Sequence, residues 1–66
     1  MSAKALNRRA RAYKGLRDYH SARRDCVALL ALAEETPEGG ERLAKDAKAI
    51  LAGVDKAEAS ERKAER

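Results

Sequence analysis

The chain has 66 residues, of which 15 are Lys or Arg and 11 are Asp or Glu, so its net charge is +4 at pH 7. A chain this short forms at most one small domain and buries only about 60% of the surface that its unfolded form exposes. Hydrophobic residues make up 44% of the sequence, but more than half of them are Ala, and Phe and Trp do not occur. A single Cys and a single His exclude an internal disulfide and an ordinary zinc site. No stretch approaches the roughly 18 apolar residues that a membrane-spanning helix needs.

The cations are concentrated near the N-terminus. Residues 1–25 hold eight cations and two acids, residues 26–54 hold three and five, and residues 55–66 hold four of each. The start of the chain has no apolar core of a secretory signal. Its Arg residues and its Ser-Ala opening leave a mitochondrial presequence as an alternative, although Asp18 and Asp25 soon interrupt that composition. We therefore expect a cytoplasmic protein in which a basic first third packs beside an acidic middle.

The first predicted helix covers residues 3–15. Its apolar face follows helical spacing through Leu6, Ala10 and Tyr13. A different face collects three cations at the same kind of spacing, namely Lys4, Arg8 and Arg11. Gly15, which lies between Lys14 and Leu16, predicts a helix stop with this glycine in the left-handed conformation.

The second predicted helix covers residues 19–35 and has Asp18 as its N-cap. Spacings of three and four define its buried face, which comprises Tyr19, Ala22, Cys26, Leu29, Leu30 and Ala33. We interpret Cys26 as a core residue, because unpaired Cys is usually buried. The stretch "CVALLALA" is apolar on every side and must be covered on more than one face. The cover is a third helix, a preceding repeat or a second copy of the chain.

The stretch "EETPEGGE" separates the second helix from a third one near residues 41–58. In it, Thr36 suits a cap, Pro37 suits a first helical position, and Gly39–Gly40 disfavour helix before Glu41. The third helix carries a narrow apolar seam of alternating four- and three-residue steps, formed by Leu43, Ala47, Ile50, Val54 and Ala57. The charged tail 59–66 is predicted to be a solvated, fraying extension. The sequence therefore predicts an all-α single domain, or a repeat fragment, of three helices.

The first two helices resemble the tetratricopeptide repeat, a helix–turn–helix unit of about 34 residues. The resemblance covers residues 4–37 and rests on a large residue at Leu6, small residues at Ala10 and Ala22, and the turn "GLRDY". Arg9 departs from the pattern, in which Leu is usual. The resemblance implies one repeat followed by a C-terminal capping helix. Such arrays need about three units for stability, so it also implies further repeats or self-association.

Within this repeat, "KALNRRARA" resembles the first helix of the last repeat in co-chaperones that bind the C-terminal tails of heat-shock chaperones. Their Lys-x-x-x-Arg pattern forms part of a carboxylate clamp and falls here on Lys4 and Arg8. The resemblance implies a peptide-binding interaction module, with Asn7 and Arg11 as supporting contacts. A spacing of four residues brings two cations to one helix face, where Arg can grip a carboxylate with two hydrogen bonds. The alternative for all four residues is a solvated helix face.

The sequence also offers a second class of function, nucleic-acid binding, and disfavours a third, catalysis. A small basic helical homodimer, like the repressor-of-primer regulators, would bind nucleic acid phosphates through its Arg-rich first helices. The cations concerned are Arg8, Arg9, Arg11, Lys14, Arg17, Arg23 and Arg24. An enzyme is not expected, because His20 has no nucleophile at a suggestive spacing and "PEGGE" lacks the residues of a phosphate-binding loop. We also expect no cofactor and no metal.

Overall fold

The computed structural model describes residues 2–64, with the side chains of residues 2–62. It contains three α-helices, α1 (Ala3–Gly15), α2 (Tyr19–Glu35) and α3 (Gly40–Ala64). No strand occurs in this range, so the all-α fold class predicted from the sequence is confirmed. None of the three helices is both long and apolar enough to cross a membrane.

The core lies where α2 packs against both neighbouring helices. Helix α2 contacts α1 on one side and α3 on the other, whereas α1 and α3 meet over a much smaller area. The core cluster consists of eight residues at the predicted spacings: Leu6, Ala10, Ala22, Cys26, Leu29, Ala47, Ile50 and Val54. Other residues of the predicted apolar faces are only half-buried, namely Tyr13, Tyr19, Leu30, Leu43 and Ala57. Helix α3 therefore supplies the cover that "CVALLALA" requires for Cys26 and Leu29, both of which are fully buried.

The turn between α1 and α2 differs from the sequence prediction in one residue. The left-handed residue is Arg17, with φ 65°, whereas Gly15 is the last residue of α1 and has ordinary helical geometry. The N–H of Arg17 donates to the carbonyl of Lys14 (3.1 Å), and that of Asp18 donates to Tyr13 (2.9 Å). This pair of bonds is a Schellman motif, and it places the left-handed position two residues later than Gly15. The predicted N-cap is confirmed, since the Asp18 carboxylate accepts from the Ser21 N–H at 3.3 Å.

The α2–α3 connection also differs from its prediction. Thr36 ends α2 instead of starting α3: its hydroxyl donates to the Leu32 carbonyl at 2.8 Å. Pro37 lies in the turn, and α3 begins at Gly40, one residue before the predicted start. Gly39 takes φ 83°. Gly40 is buried against the end of α2, where a Cβ atom would overlap the Ala33 carbonyl oxygen. The two glycines therefore start α3 because one supplies the turn and the other permits close helix contact.

Helix α3 continues past the predicted end at residue 58 as far as Ala64. Of the predicted tail 59–66, residues 65 and 66 lie outside the described part of the chain. The extension is tied to the rest of the molecule by charge: Glu61 pairs with Arg17 at 3.1 Å, and Glu58 pairs with Arg23 at 2.8 Å. The neighbouring Glu61 carboxylate, together with desolvation, holds the pKa of Tyr19 above its ordinary value. These contacts join the start of α2 to the last turns of α3.

Candidate functional site

An open groove runs between α1 and α3, on the side of both helices that faces away from α2. At one end its walls are Lys4 of α1 and Leu43 of α3, and the cavity there is about 810 Å³. Further along, Arg11 and Gly15 lie across from Ala49 and Ile50, around a further space of about 490 Å³. Residue numbers rise together on both walls, so α1 and α3 run in the same direction. Arg11 lines both spaces, so they are adjacent, and together they are called the α1–α3 groove.

All four site residues predicted from the sequence line the wider end of this groove. Lys4, Arg8 and Arg11 are exposed along its α1 wall, and Asn7 is half-buried between them. They converge because residues three and four apart share one face of a helix. The periodicity of α1 was sufficient to group these side chains, but it gave no indication of the opposite wall.

The opposite wall adds residues that the sequence prediction missed. Arg42 and Asp46 of α3 line the groove beside Leu43. Arg42 brings a fourth exposed cation, and Asp46 brings one acid, whose carboxylate accepts a long hydrogen bond from the Asn7 amide (3.4 Å). The sequence does indicate that Arg42 and Asp46 share one face of α3, because they are four residues apart and adjacent to the apolar seam. Only the packing of α3 on α2 determines that this side of α3 faces α1.

The four cations of the groove are available to a ligand. Among side chains 2–62, no carboxylate lies within ion-pair distance of Lys4, Arg8, Arg11 or Arg42. Because Asp46 is the only acid in the lining of the wider end, positive charge predominates there. Asn7 is partly committed to Asp46, so its amide is a weaker candidate for ligand contact than the cations.

Lys14 lines the narrower end of the groove, next to Gly53 of α3. Its ammonium nitrogen lies 2.7 Å, and its Cε atom 3.2 Å, from the position that a Cβ atom on Gly53 would take. Long Lys side chains commonly cover apolar surface in this way while the charged group stays in water. The absence of a side chain at Gly53 therefore leaves room for Lys14, which adds a fifth cation at this end of the groove.

Three of the cations proposed as phosphate contacts are engaged within the protein. Arg9 makes two hydrogen bonds to the Asp25 carboxylate (2.8 and 2.7 Å) and lies 5.8 Å from the centre of the Tyr13 ring. Arg23 bonds to both Asp55 and Glu58, and Arg17 pairs with Glu61. These contacts raise the pKa of both Arg9 and Arg23. The basic first third is therefore partly neutralised by acids of α2 and α3, which disfavours a broad phosphate-binding face.

Cys26 and His20 lie outside the α1–α3 groove. Burial raises the pKa of the Cys26 thiol, so it stays protonated, and no part of its surface is exposed. His20 is exposed on α2. Within the described side chains, no three of the His, Cys, Asp and Glu residues converge as metal ligands would.

Comparison of this chain with protein-family models, with curated proteins and with solved structures finds no match. The groove's own chemistry is therefore the basis for a functional assignment.

Proposed function

We propose that the chain is a protein-interaction module that binds acidic peptides in the α1–α3 groove, with the peptide's C-terminal carboxylate held by Lys4 and Arg8. The observation that carries this proposal is the convergence of four unpaired cations from two helices on one open groove. The resemblance of the first two helices to the last tetratricopeptide repeat of carboxylate-clamp co-chaperones supports the same assignment. On that basis the natural partner is the acidic tail of a chaperone.

Each cation suits a particular part of such a ligand. Arg8 presents a planar fork that can make two parallel hydrogen bonds to one carboxylate. Lys4, one turn earlier, adds a compact charge that can reach a second oxygen or a neighbouring carboxylate. Arg42 approaches from α3, so an anion in the groove is contacted from both walls. Leu43 and Ala3 provide apolar surface at this end, which suits an aliphatic side chain next to the terminal residue.

The length of the groove fits a short extended peptide. From Ala3 to Gly15 the α1 wall spans about 18 Å at 1.5 Å per residue. An extended chain covers about 3.3 Å per residue, so five or six peptide residues fill the groove. A peptide of this length needs no folded structure of its own.

The test is a titration of the isotopically labelled chain, followed by NMR, with a peptide ending Glu-Glu-Val-Asp as the free acid and as the C-terminal amide. We expect saturable shifts along the groove with the free acid and much weaker binding of the amide. Lys4→Ala and Arg8→Ala should each weaken binding about two- to fivefold, the modest loss expected for solvent-screened charges. Asp46→Asn should strengthen binding, because it removes the one acid from the lining.

Lys56→Ala is the matched control, because it removes an exposed cation of α3 that does not line the groove. Equal binding of acid and amide, or equal losses in Lys56→Ala and Arg8→Ala, would mean that only net charge attracts the peptide. If neither peptide binds at millimolar concentration, the proposal fails. A salt-dependent titration with single-stranded RNA would then test the nucleic-acid alternative.

A further inference from the structure

The outward face of α2 is exposed along three turns and carries apolar residues at its centre. Val27 is 62% exposed, and it is one of two exposed large hydrophobic residues among the described side chains, the other being Leu16. Ala28 and Ala31 are exposed beside it, and the half-buried Leu32 borders them with Leu6 of α1 in a shallow groove. None of these residues lines the α1–α3 groove. This face is therefore separate from the proposed peptide site.

Opposite charges lie at the two ends of this apolar centre. Arg24 is exposed one turn before Ala28, and Glu34 and Glu35 are exposed one turn after Ala31. None of the three takes part in an ion pair within the described residues. Arg24, Ala28, Ala31 and Glu35 form one helical stripe with steps of four, three and four residues. The stripe is basic at one end, small and apolar in the middle, and acidic at the other end.

Such a stripe is complementary to itself when a second copy is turned end for end. Its midpoint lies between Ala28 and Ala31, and Arg24 and Glu35 are each about 8 Å from this point along the helix axis. In an antiparallel pair with two-fold symmetry, Arg24 of each copy therefore meets Glu35 of the other, with Glu34 in reach. Ala28 meets Ala31 of the second copy at the centre, where small side chains permit close helix contact. Val27 then lies beside this contact and loses its exposure to water.

We propose that two copies of the chain form a two-fold symmetric dimer through antiparallel packing of their α2 helices. Charge complementarity identifies the partner as a second copy. Arg24 and the acids Glu34 and Glu35 lie at similar distances on opposite sides of the apolar centre, so an antiparallel copy forms opposite-charge contacts at both ends of the interface. Each copy contributes only a few turns of one helix, so the interface is below the roughly 1,200 Å² of stable complexes. The dimer should therefore dissociate in the micromolar to millimolar range.

The test is sedimentation velocity over that concentration range, with two charge-reversed variants. Arg24→Glu brings three acids together at each end of the interface and should abolish dimerisation, as should the double variant Glu34→Arg/Glu35→Arg. Mixed in equal amounts, the two variants restore opposite charges at both ends and should form a heterodimer. Neither variant should weaken helix α2: cations at residues 34 and 35 lie in its last turn, where they interact favourably with the helix dipole, and Arg24→Glu replaces one good helix former by another. Circular dichroism should accordingly show undiminished helix content.

Lys56→Glu is the matched control. It changes the net charge from +4 to +2, as Arg24→Glu does, but it lies on α3. This lower net charge weakens general repulsion between copies, so a loss of dimer in Arg24→Glu alone identifies a specific contact. The proposal is overturned if the natural chain stays monomeric at millimolar concentration, which would leave α2 to a different partner. It is also overturned if Arg24→Glu still dimerises, or if the mixture of the two variants stays monomeric.

Discussion

At the scale of single residues, the turn after α1 has a backbone conformation that its sequence does not suit. Arg17 occupies the left-handed position of the Schellman motif, and Gly15 occupies a helical position where a Cβ atom would meet nothing within 4 Å. Glycine is the usual residue in the left-handed position, while in a helix it costs stability relative to Ala. Conformational preferences would favour the opposite arrangement, with Gly in the left-handed position and a residue other than Gly at the end of the helix.

Both positions can be improved by substitution. Arg17→Gly removes the steric cost of the left-handed conformation and should stabilise the fold by about 0.5–1 kcal/mol, since the exposed pair with Glu61 contributes little. Gly15→Ala should stabilise it by a similar amount, about 0.5–1 kcal/mol. Thermal unfolding followed by circular dichroism measures both changes.

Gly40→Ala is the contrasting substitution, because its Cβ atom would overlap the Ala33 carbonyl oxygen. It should destabilise the fold by about 1–3 kcal/mol, as overpacked contacts do. A destabilised Gly15→Ala variant would mean that Gly15, and not Arg17, holds the left-handed position in solution.

At the scale of helices, the Arg9–Asp25 ion pair joins α1 to α2. Asp25 is only 5% exposed, and Arg9 covers it with two hydrogen bonds. The guanidinium of Arg9 holds the pKa of the Asp25 carboxyl below its ordinary value. A buried carboxylate without its partner would be strongly destabilising, so the two residues have to be present together.

The lowered pKa of Asp25 predicts a loss of stability in acid. The unfolded carboxyl binds a proton near pH 4, whereas the folded one does so at lower pH, so the stabilisation is complete above about pH 4 and disappears as pH falls below it. Glu58, whose pKa Arg23 lowers, acts in the same direction. We expect the thermal unfolding temperature of the natural chain to decrease as the pH is lowered from 6 to 3. The unfolding temperature of Asp25→Asn should be lower than that of the natural chain at pH 6 and should depend less on pH.

Glu41→Gln is the control for this prediction, because Glu41 is exposed and makes no ion pair within residues 2–62. Because Glu41 lies in the first turn of α3, where a carboxylate interacts favourably with the helix dipole, Glu41→Gln should lower the unfolding temperature only slightly and leave most of its pH dependence in place. If Asp25→Asn retains the full pH dependence of the natural chain, the ion pair does not contribute to acid stability.

Features within one helix could be predicted from the sequence, whereas contacts between helices could not. The buried faces of all three helices follow from spacing, because Leu6, Cys26 and Ile50 each belong to a local periodic pattern. The cationic wall of the groove follows for the same reason. Arg42 and Asp46 could not be assigned to it, because their position depends on how α3 rotates as it packs on α2. The pairing of Arg9 with Asp25 likewise requires the distance between two helices, which local patterns do not contain.

At the scale of the whole molecule, apolar packing and charge hold different parts together. The core ends on α3 at Val54, but the helix continues for ten more residues, and the molecule extends over 46 Å in its longest direction. Beyond Val54, α3 is held to the start of α2 by Arg23 and Arg17 through their contacts with Asp55, Glu58 and Glu61. Such partly exposed pairs are weakened by salt, unlike the apolar core. The protein should therefore open locally from this end before it unfolds globally.

Amide hydrogen exchange should separate these two parts of α3. Arg23 bonds to both Asp55 and Glu58, so Arg23→Ala should accelerate exchange of the amides of residues 56–62 several-fold while those of residues 47–54 stay protected. Raising the salt concentration should also accelerate exchange of the amides of residues 56–62 in the natural chain. The acceleration should be smaller in Arg23→Ala, because this variant has already lost these ion pairs. Arg62→Ala is the control, since Arg62 reaches Glu58 only at 4.0 Å from an exposed position, and it should change exchange little. If Arg23→Ala accelerates exchange equally in both segments, α3 unfolds as a single unit, and these ion pairs stabilise the whole fold instead of its last turns.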